Sequence, residues 1–175
     1  NRFVNDKDFW EEGDGKKKPW YYEQQFLGYN CRITDIQCAL GLSQLKKLGY
    51  FMARRMEIVE YYNKQFAGIK NIKTPFESKD CASNFHLYIL LIDFEKIGVS
   101  RSEFINNLIR KNIRTQVHYI PIYTHPYYMK TFGTQWGLCP NAEKYYKQCL
   151  SIPLYPGMSI DDVDTVVAAI MEIAA

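Results

Sequence analysis

The sequence predicts an α/β fold, and three observations carry that reading. Two helical patterns dominate residues 34–67. From about residue 70 the texture changes to short apolar runs alternating with helices that carry their own capping residues. The resulting order is two long helices followed by β-α-β-α-β-α, which describes a small α/β sandwich attached to a helical spine. A domain boundary is expected near residue 70, separating residues 1–70 from a C-terminal α/β domain at 71–175.

Residues 1–30 read as loop. Gly13 and Gly15 flank a switch from acidic to basic residues, and Pro19-Trp20-Tyr21-Tyr22 adds aromatic bulk. The first helix starts at Thr34, where Thr34-x-x-Gln37 forms a capping box, and runs to about Lys47 with Gly49 as its stop. It is apolar nearly all round, so it is expected to be buried. The second helix spans about 53–67, with Met52, Met56, Val59, Tyr62 and Phe66 on one stripe and Gly68 as its end. Phe85 to Ile92 is a continuous apolar run, expected to be a strand buried on both faces, with His86 inside it as a structural residue. Ser100-x-x-Glu103 caps a helix carrying Phe104, Ile105, Leu108 and Ile109, ending near Asn112. Ile113 to Tyr119 alternates in the manner of a half-buried strand leading to Pro121. Asn141 opens a short helix to about Cys149, and Ser151 to Leu154 is a short strand. A last helix begins after Ser159, favoured by Asp161, Asp162 and Asp164, and buries Val163, Val166, Val167, Ile170 and Met171.

Composition narrows the function classes. The 175 residues include 14 Tyr, 10 Phe and 3 Trp, which points to wide apolar contacts with polar tips. A net charge of +3 with scattered basic residues argues against a nucleic-acid binder. Five Cys, with no CxxC pair and no zinc-ligand spacing, read as reduced thiols in a cytoplasmic protein, several of them buried as small hydrophobes. No apolar run reaches transmembrane length, so no membrane partner is expected. The chain opens at Asn1 without an initiator Met, and reads as the back part of something longer. No phosphate-binding glycine loop, nucleophile elbow or H-E-x-x-H occurs, so self-sufficient catalysis has little support.

Two clusters could carry chemistry. Asn30 and Arg32 sit in the turn before the first helix. An amide can donate to a phosphate oxygen, and a guanidinium can grip a carboxylate or phosphate with two parallel bonds. The same residues also fit a left-handed turn at Asn30 and a local pair between Arg32 and Asp35. The second cluster is Thr115, Gln116, Val117, His118 and Tyr119, a strand end running into a Pro-terminated loop, a common layout for a binding site. A half-buried, hydrogen-bonded histidine is the plain alternative for His118. His125, in Thr-His-Pro, reads as an exposed turn residue, and the Tyr pairs at 21–22, 61–62, 127–128 and 145–146 read as packing.

These residues carry a resemblance. Gly28-Tyr29-Asn30-x-Arg32-x-Thr34-Asp35-Ile36-Gln37-x-Ala39-Leu40-Gly41, followed by Gln44-Leu45, resembles the signature of the DegT/DnrJ/EryC1/StrS family of pyridoxal-phosphate-dependent nucleotide-sugar aminotransferases. Val117-His118-Tyr119-x-Pro121 and Ser151-Ile152-Pro153-Leu154-Tyr155-Pro156 resemble its C-terminal part, and Cys31 departs from it where an aromatic residue is usual. Within the family, the runs at 42–48 and 116–119 look closest to the transaminases of pseudaminic acid biosynthesis, a route to flagellin glycosylation.

The resemblance implies the C-terminal part of an aspartate-aminotransferase fold. Residues 1–70 would then be the tail of the large domain with its connecting helices. It implies a cytoplasmic homodimer in which Asn30 reaches the cofactor phosphate of the partner subunit. Arg32 would meet the donor carboxylate or the sugar-nucleotide diphosphate, and Thr115, Gln116, Val117, His118 and Tyr119 would line the sugar-nucleotide pocket. Its substrates would be glutamate and a UDP-linked 4-keto-6-deoxy-N-acetylhexosamine aminated at C4. No catalytic residue is assigned in this chain, because the Schiff-base Lys would lie upstream of Asn1. The 175 residues alone are therefore expected to be inactive. Two other readings stand beside this one: a dehydratase of the same family, and a non-catalytic α/β binding module whose long helices expose apolar surface.

Overall fold

A computed structural model of the chain describes residues 27–29 and 31–174, and these fall into two compact units divided between Ser43 and Gln44. The loop expected over residues 1–30, and Asn30 with it, lies outside the described residues apart from Leu27–Tyr29.

The first described helix, α1 (Asp35–Leu45), begins where its capping box places it. The Thr34 backbone N–H donates to Gln37 Oε1 at 2.9 Å, and the Gln37 N–H donates back to Thr34 Oγ1 at 3.3 Å. Its expected burial is not supplied by the described residues: no side chain of α1 is buried, and Leu40 and Leu42 are 62% and 63% exposed. Helix α2 (Leu48–Phe66) starts earlier than the pattern indicated, with Gly49 inside it rather than ending α1. The true stop is Gly68, whose φ of +75° is open to glycine at little cost.

Three strands, β1 (Ile72–Lys73), β2 (Tyr88–Ile92) and β3 (Cys149–Ile152), form an antiparallel sheet in the order β1-β2-β3. Between β2 and β3 come α3 (Phe94–Ile97), α4 (Arg101–Arg110), a 3-10 turn at Ile122–Thr124, α5 (Pro126–Phe132) and α6 (Pro140–Gln148); α7 (Ile160–Ala174) closes the chain. Strand β2 alternates buried and half-buried residues, so only one of its faces is fully covered. His86 stands exposed on a bend before the strand instead of inside it. The alternation at 113–119 produces no strand. A single bridge between Gln116 and Ser151 replaces it.

The inner face of the sheet, Tyr88, Leu90 and Ile92 with Leu150 and Ile152, packs on three helices. These supply Ile58, Val59, Tyr62 and Phe66 from α2, Phe104 and Leu108 from α4, and Val163, Val166, Val167 and Ile170 from α7. Helix α2 therefore belongs to the same packed body as the sheet, and the division between compact units falls at Ser43/Gln44 rather than near residue 70. Buried phenols keep partners: Tyr62 donates to the Pro153 carbonyl at 2.9 Å and Tyr88 to Asn63 Oδ1 at 2.7 Å. Burial pushes both phenols above their ordinary range. Of the cysteines, only Cys149 is buried; Cys31, Cys81 and Cys139 are exposed, against the expectation of several buried thiols.

Neighbouring residues of α4 test this packing. Leu108 is fully buried and Ile109 is 43% exposed. Leu108→Ala should cost about 2–5 kcal/mol in urea unfolding, and Ile109→Ala less than about 1 kcal/mol. The start of α7 gives a second test. The Ser159 backbone N–H and its hydroxyl both donate to Asp162 Oδ2 at 2.8 Å, and hold that carboxyl below the usual carboxylate range. A depressed carboxyl contributes stability above its unfolded value and loses it as pH falls through the folded one. Ser159→Ala should therefore raise the Asp162 titration toward 3.8, read by carboxyl NMR.

Candidate functional site

The candidate site is built on the outer face of the sheet, where a polar residue interrupts an apolar strand. Ser151 lies in the middle of β3 and is 5% exposed. Its N–H donates to the Gln116 carbonyl at 2.8 Å, and its carbonyl accepts from the Gln116 N–H at 3.1 Å. Both backbone groups of a residue point to one side of a strand, so Ser151 faces Ile89 of β2 as a pair without mutual hydrogen bonds. Its side chain therefore shares the outer face with Ile89.

The bridge delivers the predicted segment to that face. Gln116 folds its amide back, accepting from the Val117 N–H at 2.9 Å through Oε1. His118 is half-buried, with Nδ1 2.7 Å from Ser151 Oγ. Its ring meets Tyr119 edge-on, with centroids 4.5 Å apart at 87°. Tyr119 itself is 72% exposed. Thr115 Oγ1 is buried and has no hydrogen-bond partner among the described residues. The segment thus presents an imidazole and a phenol on a backbone fixed by the sheet.

Arg32 belongs to the first unit, where it is exposed two residues before the capping Thr34. A guanidinium there has the donor fork that a phosphate-bearing cofactor or a carboxylate takes. Among the described residues no cluster of three or more His, Cys, Asp or Glu could hold a metal ion, and no helix is long and apolar enough to cross a membrane.

Three features of this region escape a reading of the sequence. Ser151 is legible only as a polar residue in an apolar run, with no indication of its partner. An apolar groove of about 710 Å³ lies along the outer face, lined by Phe85, Leu87, Ile89, Leu91 and Tyr145. The loop after Tyr119 is tied down by Tyr123, whose hydroxyl donates to Glu143 Oε1 at 2.6 Å, while the same oxygen accepts from the Gly137 N–H at 2.6 Å. Desolvation, and then the bond to Glu143, push Tyr123 up to about 12. The Tyr123 hydroxyl in turn is the main cause holding Glu143 below its usual range. Glu143→Gln should return Tyr123 toward 10.0, because phenolate would no longer form beside a carboxylate. The Gly137 amide should exchange faster with solvent in the same variant, which hydrogen-exchange NMR reads directly.

Comparison with known proteins places this fold. The model of the DegT/DnrJ/EryC1/StrS aminotransferase family matches residues 7–171, and the chain belongs to that family. It is 48% identical over 155 residues to the spore coat polysaccharide biosynthesis protein SpsC of Bacillus subtilis, covering 88% of this chain and 40% of that protein. It is 38% identical over 152 residues to the UDP-4-amino-4,6-dideoxy-N-acetyl-beta-L-altrosamine transaminase of Campylobacter jejuni, covering 84% of this chain and 38% of that protein. The structure of Spr1654 from Streptococcus pneumoniae, in its PLP form, superposes with a TM-score of 0.78 at 29% identity, covering 89% of this chain and 39% of that one. The chain thus spans about two-fifths of the length of the curated relatives it matches.

Proposed function

We infer that this chain is the C-terminal part of a pyridoxal-phosphate-dependent aminotransferase acting on a nucleotide-linked keto sugar. The single observation that carries the reading within the chain is the segment Thr115–Tyr119, held by the Gln116–Ser151 bridge with His118 and Tyr119 presented together. In this reading the segment is the wall of the sugar-nucleotide pocket. His118 hydrogen-bonds an oxygen of the ligand, and Tyr119 closes over it. Arg32 takes a carboxylate or diphosphate, and Asn30 reaches the cofactor phosphate of a partner subunit in a homodimer.

Bound pyridoxal phosphate would supply the electron sink through which an amino group moves. In this reading the Lys that would hold it lies upstream of Asn1, in the part of the relatives' length that this chain does not span. The exposed apolar side chains of α1 are then the surface that the rest of the longer protein covers.

The proposed donor is glutamate, and the proposed acceptor is a UDP-linked 4-keto-6-deoxy-N-acetylhexosamine aminated at C4, on the pseudaminic acid route in the cytoplasm. The higher identity to the spore coat protein favours a second acceptor within the same chemistry, a nucleotide-linked keto sugar destined for a surface polysaccharide.

Borohydride reduction of the full-length protein with its cofactor, followed by peptide mass spectrometry, tests the reading. A cofactor adduct on a Lys is expected. A folded, cofactor-supplied protein with no Lys adduct would contradict it, and would favour the dehydratase of the same family. His118→Gln should weaken UDP-sugar binding on the order of tenfold in calorimetry, the worth of one hydrogen bond in a half-buried site, and leave the adduct intact.

A further inference from the structure

We propose that Ser151 is a positioning residue that fixes His118 in the tautomer carrying its proton on Nε2. The assignment follows from counting protons. A neutral imidazole has one donor and one acceptor nitrogen, and a serine hydroxyl has one proton to give. His118 Nδ1 and Ser151 Oγ are 2.7 Å apart, so one of them donates to the other. Among the described residues, Ser151 Oγ has no other partner, and the residue is only 5% exposed. If Nδ1 carried the proton, the serine O–H would be left buried with nothing to accept it. If the serine donates instead, both groups are satisfied and the imidazole proton resides on Nε2.

The serine is well placed to impose this choice. Its own N–H and carbonyl are both engaged by Gln116, and its neighbours on β3 pair with β2, so its Cα–Cβ direction is set by the sheet. The ring also meets Tyr119 edge-on. His118 Nε2 has no partner among the described residues, and its N–H is left as a donor. Such a donor selects an acceptor oxygen: a phosphoryl oxygen, a sugar carbonyl or the lone pair of a hydroxyl. It rejects a group that can only donate. This deepens the reading of Thr115–Tyr119 as the sugar-nucleotide wall and, for its ligand, rests on that reading. The tautomer itself does not.

The test is a long-range 1H–15N correlation spectrum of the full-length protein labelled with 15N-histidine. The His118 signals are assigned by their loss in His118→Gln. In the unsubstituted protein, Nε2 should give a protonated, pyrrole-type resonance and Nδ1 a pyridine-type one. The reverse pattern would overturn the proposal without any serine variant having to fold. Ser151→Ala should drive His118 toward a mixture of tautomers and weaken UDP-sugar binding on the order of 3- to 10-fold. Ser151→Thr, which keeps the hydroxyl, should retain the Nε2–H pattern. An unchanged His118 signature in a folded Ser151→Ala protein would also overturn the proposal.

Titration with UDP, and then with UDP-N-acetylglucosamine, separates the two layers. A His118 Nε2 shift with both ligands places the acceptor on the UDP moiety, and a shift with the second alone places it on the N-acetylglucosamine sugar. If neither ligand shifts it while the tautomer is as expected, Ser151 keeps its role and the sugar-nucleotide reading fails.

Discussion

The pairing of β2 with β3 is the interaction on which the rest of the structure depends. Its inner face supplies Tyr88, Leu90, Ile92, Leu150 and Ile152 to the core that joins α2, α4 and α7. Its outer face supplies Ser151, from which the segment carrying His118 and Tyr119 is hung. One ladder therefore sets both the stability of the domain and the geometry of its candidate site. A shift of one residue in its register would exchange the two faces, putting Ser151 into the core and Leu150 under His118.

What could be read from the sequence was what is local. Thr34 with Gln37, and Ser100 with Glu103, are three residues apart, and their reciprocal or single cap bonds form within one turn of chain. Helical spacing likewise located Val163, Val166, Val167 and Ile170 of α7 and Val59, Tyr62 and Phe66 of α2, whereas Met171, expected to be buried, is half-buried and Met52 of the expected stripe is exposed. What failed was non-local. The alternation over Ile113–Tyr119 reported correctly that side chains face in and out by turns, yet a strand also needs a partner along its length. Here only Gln116 finds one. The continuous apolar run ending at Ile92 looked buried on both faces, whereas the outer face carries only a partial cover and an open groove. Gly49 looked like a helix stop, but a glycine inside a helix costs only about 1 kcal/mol, which tertiary packing of α2 overrides.

The candidate site divides in the same way. The residues Thr115–Tyr119 were identifiable by type and by their place before a proline loop. Their support was not, because Ser151 lies 33 positions from His118 in the chain. A buried serine in an apolar strand is the one trace the sequence carries of that contact. The exposed leucines of α1 belong to the same lesson. An all-round apolar helix specifies that a cover is needed, and specifies nothing about which part of a longer protein provides it. The family model matches residues 7–171, and the chain spans about two-fifths of the length of the curated relatives it matches.

The most direct test of the central claim is amino transfer by the full-length protein. It would be incubated with pyridoxal phosphate, 15N-glutamate and a UDP-linked 4-keto-6-deoxy-N-acetylhexosamine, and the nucleotide sugar followed by mass spectrometry. The account predicts an amino sugar carrying the 15N label, with a matching yield of 2-oxoglutarate. A folded, cofactor-loaded protein that returns the keto sugar unlabelled, with this acceptor and with other nucleotide-linked keto sugars, would contradict it.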